Sequence, residues 1–324
     1  MKVFYGLTQF KPQNIKPAVA LGVFDGLHLG HQRIIGRLIK EAKRLKIPSL
    51  IVTFFPHPQK ESSIYSLSHR LKLFKATGVD LCLVIRFSPA FCRISAREFL
   101  QKILVRKINP AIVLIGRNFT FGKNAKGNWQ MLSDYSKMAK FKLMVIDVLT
   151  YKGIAISSSY IRNLIKTGQL IKAQELLGRP VSIFGRVTGG CGFARTLGYP
   201  TANIEPDHQT LPAFGVYAVR VRVAGKLLNG ICYIGNKPTF IHSIKKPRNK
   251  KVCSTGVKAS IKTSVEAHIF DFENNLYGRR LQIEFVKRLR PEKRFNSIQA
   301  LAYQIKRDIL NCHKQLRLQF KCPQ

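Results

Sequence analysis

A doubly wound α/β domain followed by an antiparallel β domain is the fold class this chain predicts, and three observations carry it. Over the first 150 residues, short continuous apolar runs alternate with helical patterns, as in a parallel sheet covered on both faces. After Gly178-Arg179-Pro180 the pattern changes to short strands separated by Gly and Pro turns. With 324 residues, 45% of them apolar and 10% aromatic, the chain is long enough for two domains with separate cores.

Taken in order, the β-rich runs of the first half cover residues 18–24, 49–55, 81–87, 111–116 and 143–148, with helical patterns over 32–45, 96–104 and 127–139. Residues 157–177 are helical in pattern with a break at Thr167-Gly168. The boundary falls near Gly178, giving domains at 1–178 and 179–324. The second domain reads as strands over 182–187, 215–223, 228–234, 265–270 and 280–286, which predict an antiparallel barrel or sandwich. Beyond Pro291 an amphipathic helix closes the chain, with Ile298, Leu301, Ile305 and Ile309 on one face. Residues 245–262 are basic and poor in apolar side chains, and read as a mobile loop.

Composition narrows the function classes. The apolar run at 18–24 ends at Asp25 and is too short to span a bilayer. The first ten residues lack the layout of a signal peptide, so a soluble cytoplasmic protein without a membrane partner is expected. Seven cysteines without CxxC spacing fit neither a disulfide framework nor a zinc site. The 55 Lys and Arg against 16 Asp and Glu leave a net charge of +39. The excess is spread along nearly the whole chain, which suits anionic substrates, so nucleic acid is not expected as the main partner.

The strongest local signal is Gly22-Val-Phe-Asp-Gly-Leu-His-Leu-Gly-His31, where the first strand turns into the first helix. In a doubly wound sheet this turn aims the free N–H groups of the helix N-terminus at a bound anion. Gly22, Gly26 and Gly30 permit a tight turn and close backbone approach to phosphate. His28 and His31, three apart, share a face and can donate hydrogen bonds to charge developing on phosphorus.

This stretch resembles the H-x-G-H nucleotidyltransferases, and its longer form resembles the prokaryotic FAD synthetase branch. Three further segments carry the resemblance: Thr53-Phe-Phe-Pro-His-Pro58, Gly116-Arg-Asn-Phe-Thr-Phe-Gly122 and Ser157-Ser-Ser-Tyr-Ile-Arg162. The resemblance implies ATP contacts at Gly22, Phe24, Asp25, Gly26, Gly30, Ser157, Ser158 and Arg162. It implies flavin and nucleotide contacts at His57, Pro58 and Asn118, with His28 and His31 catalytic. Ala125 stands where many relatives carry Arg, and Asn118 where many carry Asp.

In the second half, Gly192-Phe-Ala-Arg-Thr-Leu-Gly-Tyr-Pro-Thr-Ala-Asn203 follows Gly189 and Gly190, a layout for a glycine flap over phosphates. Thr201 and Asn203, two apart in an extended segment, point hard oxygens to one side, as Mg²⁺ requires. Glu266 lies in a β-rich run on the side opposite Val265 and Ala267. This half, from about 178 to 308, resembles riboflavin kinase, which implies a six-stranded Greek-key β-barrel. By that resemblance Gly189, Gly190, Gly192 and Pro200 bind ATP, Thr201 and Asn203 hold Mg²⁺, and Glu266 is the catalytic base. Ala194 and Lys237 depart from the usual Gly and Arg of that family.

Together the halves imply riboflavin kinase and FMN adenylyltransferase activities on one chain. The partners would be riboflavin, FMN and ATP, with Mg²⁺ required and FMN serving as product and then substrate. Two alternatives remain open on sequence grounds: a single active module, and RNA binding on an old enzyme scaffold.

Overall fold

The computed structural model describes residues 1–11, 16–58, 62–190, 193–207, 209–236 and 263–318. The basic segment at 245–262, together with Gly192, Lys237, His208 and His242, lies outside the described residues. The chain forms two compact units. One comprises Met1–Leu164, Ile171–Arg179 and His208–Thr210; the other comprises Ile165–Leu170, Pro180–Asp207 and Leu211–Gln324.

The first unit is built on six parallel strands: β1 (Lys2–Tyr5), β2 (Ala18–Leu21), β3 (Ser49–Phe55), β4 (Leu81–Arg86), β5 (Ile112–Gly116) and β6 (Lys142–Ile146). Their order is β1-β4-β3-β2-β5-β6. The chain therefore leaves β2 toward β3 and returns to its other side with β5, so the strand order reverses beside β2. A crevice opens at the carboxyl ends of strands at such a reversal. The helices are α1 (Leu29–Leu45), α2 (Leu67–Ala76), α3 (Pro89–Cys92), α4 (Ala96–Glu98, continued as a π-helical segment over Phe99–Ile108), α5 (Trp129–Ala139), α6 (Ser158–Lys166) and α7 (Leu170–Leu177). A small hairpin, β7 (Thr150–Tyr151) with β8 (Ile154–Ala155), precedes α6.

Alternation along each strand feeds two cores. Val19, Leu21, Val52, Leu83 and Val113 meet Phe99, Leu104 and Leu132 on one face. Ala18, Ala20, Ile51, Cys82 and Leu114 meet Ile35, Leu38 and Phe74 on the other. Both faces are covered, which is why these strands read as unbroken apolar runs.

The second unit is a closed antiparallel barrel. Its strands are β9 (Ser182–Thr188), β10 (Ala202–Pro206), β11 (Gly215–Val223), β12 (Lys226–Asn236), β13 (Thr263–Ile269) and β14 (Arg280–Pro291). They close in the order β10-β13-β12-β11-β14-β9, a barrel and not a sandwich. Val187, Ile204, Cys232, Ile234, Val265, Ala267 and Ile283 are buried. A short helix, α8 (Phe193–Thr196), follows β9, and α9 (Ile298–Leu318) covers the barrel wall. There Cys312 and Leu316 pack with Ala218 and Phe270.

Several expected boundaries move for physical reasons. β2 ends at Leu21, short of 24, and Phe24 takes a left-handed conformation (φ 53°) that no strand continues. The first helix starts at Leu29 and not Gln32, because His28 caps it by accepting the His31 N–H. The sixth strand stops at Ile146, short of 148. Ile298, expected on the packed face of the last helix, is 41% exposed; that helix docks through its later turns, where Asp308, Cys312 and Leu316 are buried. β1, α2 and β10 had no counterpart in the sequence reading.

Two glycines separate packing from propensity. A Cβ at Gly185 would lie 2.5 Å from the Glu205 carbonyl oxygen where β9 closes on β10. Gly185→Ala should lower stability by about 1–3 kcal/mol. Gly36, inside α1, has open space beside it. Gly36→Ala should raise stability by about 0.5–1 kcal/mol. Urea unfolding of the two variants checks both signs.

Candidate active sites

The first site forms where β2 gives way to α1. After Leu21 the chain makes a tight 3₁₀ turn over Asp25–Leu27, with Gly26 at φ 75°. A Cβ at Gly26 would meet Ile64 Cδ1 at 2.7 Å, one at Gly22 the Phe24 ring at 3.0 Å, and one at Gly30 the His28 ring at 3.2 Å. Gly22, Gly26 and Gly30 therefore let the turn close against its neighbours. His28 and His31 come together as the three-residue spacing requires, their rings stacked 3.6 Å apart. The Phe24 ring meets His31 edge-on at 5.3 Å.

Asp25 ties the site together. Its carboxylate is 1% exposed. It accepts the Ile64 N–H at 2.9 and 3.0 Å and the Tyr65 N–H at 3.4 Å. Arg162 Nε stands 3.6 Å and His57 Nε2 3.9 Å from Oδ2. The Ser158 hydroxyl donates to the Asp25 carbonyl at 2.9 Å, while Ser157 caps α6 by accepting the Tyr160 N–H at 3.3 Å. Of the residues expected around this site, Asp25, His57, Ser158 and Arg162 thus converge on one carboxylate and its peptide. Pro58 follows His57 as a half-buried residue, and Asn118 sits exposed two residues beyond β5. Ala125 is exposed with φ 55°, a left-handed residue in the loop before α5. Trp129 packs at the edge of one core, with Arg117 5.2 Å from its ring.

Sequence reasoning missed Arg70. It is fully buried on α2 and donates to the Val23 carbonyl at 2.6 Å, Thr53 Oγ1 at 3.1 Å and the Phe54 carbonyl at 3.3 Å. It therefore pins the ends of β2 and β3 to each other. No motif announces it, because its role lies in carbonyls that any sequence supplies.

Electrostatics at this site favour neutral imidazoles. Burial, then the Arg179 charge, lowers His28 from 6.5 to about 4. Burial, His28, Arg179 and Arg70 together hold His31 well below its ordinary range. His28 Nδ1 accepts the His31 N–H at 3.4 Å, which places the proton of the neutral ring on Nε2.

The second site lies on the outer wall of the barrel. Asn203 on β10 stands opposite Glu266 on β13, which stands opposite Tyr233 on β12. Directly opposed residues share a face, so the three form a row across adjacent strands. Glu266 is half-buried between buried Val265 and Ala267, on the side that alternation predicts. The Ser264 hydroxyl donates to Glu266 Oε1 at 2.9 Å. The Tyr233 hydroxyl reaches Glu292 and, at 2.7 Å, the Asn236 carbonyl. Gly189 and Gly190 are exposed beside the row, and a Cβ at Gly190 would fall 1.9 Å from Asn203 Nδ2. Thr201 and Pro200 precede β10, and the Pro200 carbonyl lies 2.8 Å from His268 Nδ1. Ala194 sits in α8. Ser264, Tyr233 and Glu292 were not singled out from sequence.

Among the described residues, no group of three His, Cys, Asp or Glu side chains is placed to hold a metal ion. Cys82, Cys232 and Cys312 are buried and unbridged, and Cys92 is exposed. No helix among the described residues is long and apolar enough to cross a membrane.

Comparison with known proteins follows the same division. Residues 10–160 match the FAD synthetase family model, and residues 177–316 match the riboflavin kinase family model. The bifunctional riboflavin kinase/FMN adenylyltransferase of Buchnera aphidicola subsp. Schizaphis graminum is 35% identical, with 95% of this chain and 97% of that one covered. The protein of the same name from Bacillus subtilis is 34% identical, with 92% of each chain covered. A crystal structure described as a macrolide-efflux protein from Streptococcus pneumoniae superposes with a TM-score of 0.80 at 26% identity, covering 97% of this chain and 99% of that one.

Two outcomes are expected from this geometry. Asp25→Ala should cost about 3–5 kcal/mol, since it strands two buried N–H groups and removes the carboxylate that faces Arg162. Denaturant unfolding would measure it. The depressed His28 makes stability depend on pH: above 6.5 neither state binds the proton, and between 6.5 and about 4 only the unfolded chain does. Stability should therefore fall as pH drops through that window. Part of the fall should be missing in His28→Gln when urea midpoints are compared from pH 7.5 to 4.5.

Proposed function

The chain belongs to the bifunctional riboflavin kinase/FMN adenylyltransferase family, with a FAD synthetase module followed by a riboflavin kinase module, and on that premise we propose how its residues divide two consecutive reactions. In the barrel, riboflavin and ATP give FMN and ADP. In the α/β unit, FMN and ATP give FAD and pyrophosphate.

For the kinase step, Glu266 is the base. It takes the proton of the riboflavin 5′-hydroxyl, the freed oxygen attacks the γ-phosphorus of ATP, and ADP leaves. The Ser264 hydroxyl donates to the carboxylate, and the cross-strand register with Asn203 supports this role. Exposed Gly189 and Gly190, with Gly192 and Pro200, cradle the nucleotide. The donor set fits Mg²⁺, which is commonly held by one or two protein oxygens together with substrate phosphates. Thr201 and Asn203 would supply such oxygens, and the absence of a Cβ at Gly190 leaves room for the Asn203 amide. When bound, the ion would neutralise charge on the transferring phosphate.

For the adenylyl step, an oxygen of the FMN phosphate attacks the α-phosphorus of ATP and the bond to pyrophosphate breaks. The attacking phosphate is already ionised, so the histidines need not act as bases. Neutral His28 and His31 instead serve as hydrogen-bond donors to the phosphate oxygens, with His28 donating through Nε2. Gly22, Phe24, Asp25, Gly26 and Gly30 shape the turn against the triphosphate, and Asp25 acts by positioning. Ser157, Ser158 and Arg162 line the same phosphates; a guanidinium with five N–H donors can keep its Asp25 anchor while meeting them. His57, Pro58 and Asn118, on loops at the carboxyl ends of β3 and β5, meet the flavin and nucleotide. The observation that carries the assignment is the coexistence, on one chain, of the stacked histidine pair in the crevice and the Asn203–Glu266 row on the barrel.

With riboflavin, ATP and Mg²⁺, FMN should appear first and FAD after it. His28→Ala should accumulate FMN and slow FAD formation by about 10²–10³-fold. Glu266→Gln should slow FMN formation by about 10²–10⁴-fold while still converting added FMN to FAD. Chromatographic time courses distinguish these outcomes, and an unimpaired kinase in Glu266→Gln would remove the proposed base.

A further inference from the structure

The FAD synthetase match ends at residue 160, and Arg179 falls within the stretch matched to riboflavin kinase. In the fold, Arg179 belongs to the first unit. α7 ends at Leu177, and the φ of 68° at Gly178 turns the chain back so closely that a Cβ there would meet Leu29 Cδ2 at 2.7 Å. That turn delivers the Arg179 side chain to the H-x-G-H loop. One guanidinium nitrogen donates to the carbonyl of Gly26 and, at 3.0 Å, to that of Leu27. The other donates to the Leu177 carbonyl at 3.2 Å. Gln32 Nε2 spans the same oxygens, reaching Leu27 at 2.9 Å and Leu177 at 2.8 Å. The guanidinium lies 5.4 Å from the centre of the Tyr65 ring, and the Tyr65 N–H is one of those on the Asp25 carboxylate. Its Nε is buried without a hydrogen-bond partner among the described residues.

Resting on the adenylyltransferase reading above, we propose that Arg179 is a positioning residue for adenylyl transfer: by gathering the Gly26 and Leu27 carbonyls it fixes the turn from which His28 and His31 project. The reason is geometric. Carbonyls at positions 26 and 27 sit immediately before the capping residue His28, so a rotation of either peptide swings both stacked imidazoles. A planar guanidinium that holds both carbonyls through one nitrogen and the Leu177 carbonyl through the other resists that rotation, whereas an ammonium has no second nitrogen with which to keep the Leu177 contact. The same cation faces the imidazoles electrostatically. It acts on His28, and it acts with His28 and Arg70 on His31. The adenylyltransferase site is therefore incomplete in a chain cut where the family match ends.

The test uses the full chain and both half-reactions, FMN + ATP to FAD and riboflavin + ATP to FMN. Arg179→Met should lower kcat for FAD formation by about tenfold or more, with KM for FMN and ATP moving less than about threefold. FMN formation should stay within about twofold of the unmodified enzyme. Arg179→Lys should fall between the two, and added guanidinium should partly restore Arg179→Ala. A readout independent of turnover is the NMR titration of His28, which burial and then Arg179 lower to about 4 and which should rise in Arg179→Met while burial still holds it below 6.5. FAD formation within twofold of normal in Arg179→Met, or an unshifted His28 titration, would overturn the proposal. So would a loss shared equally by both half-reactions and unrelieved by guanidinium. If the unmodified enzyme formed no FAD from FMN, the adenylyltransferase reading itself would fall, and the His28 titration would still judge the contact.

Discussion

The first unit depends on a buried carboxylate. Asp25 sits at the switch point of the sheet, and its oxygens satisfy the N–H groups of Ile64 and Tyr65 while Arg162 and His57 stand against it. A buried charge is tolerated only when paired and hydrogen-bonded. Here that requirement draws three segments, distant in sequence, to one point: the turn after β2, the stretch before α2, and the start of α6. Each neighbour of Asp25 is held in place by the need to keep that charge satisfied. Arg70 performs a parallel task with opposite sign, spending a buried guanidinium on the carbonyls of Val23 and Phe54.

The stacked imidazoles have to persist in a chain of net charge +39. Two rings 3.6 Å apart could not both be protonated without strong repulsion. Burial and the nearby guanidinium groups keep them neutral, so the abundance of cations supports the pair instead of disturbing it. The barrel solves a different problem. Its Glu266 is half-buried and is held by local hydrogen bonding and cross-strand register.

Most of the architecture was legible because it rests on periodicity. The strands over Ser49–Phe55 and Gly215–Val223 fall where their apolar patterns place them. Gly26 in the turn after β2 was legible because its φ of 75° and the nearness of Ile64 leave no place for a Cβ. α2 was not, because it turns His69 and Arg70 inward and so hides its buried face behind polar letters. β10 was missed for a similar reason: within Ala202–Pro206 only Ile204 is buried. The convergence of Asp25, Arg162 and His57 was only half legible. Motifs named the residues, but partnership with main-chain N–H groups leaves no trace in side-chain identity.

The chain also passes between its units after residues 164, 170, 179, 207 and 210. Thr210 donates its N–H to the Ser63 carbonyl at 2.7 Å, beside the loop that grips Asp25. A ribosome releases the chain in one direction at about 5–20 residues per second. The parallel sheet is therefore complete in sequence long before its last local partners exist. Translating residues 165 to 210 takes roughly 2–9 s at that pace. By then β9 and β10 have also been made. The first unit thus receives its last residue while four of the six barrel strands are still to come: the order of synthesis supplies everything one half needs while the other has only begun.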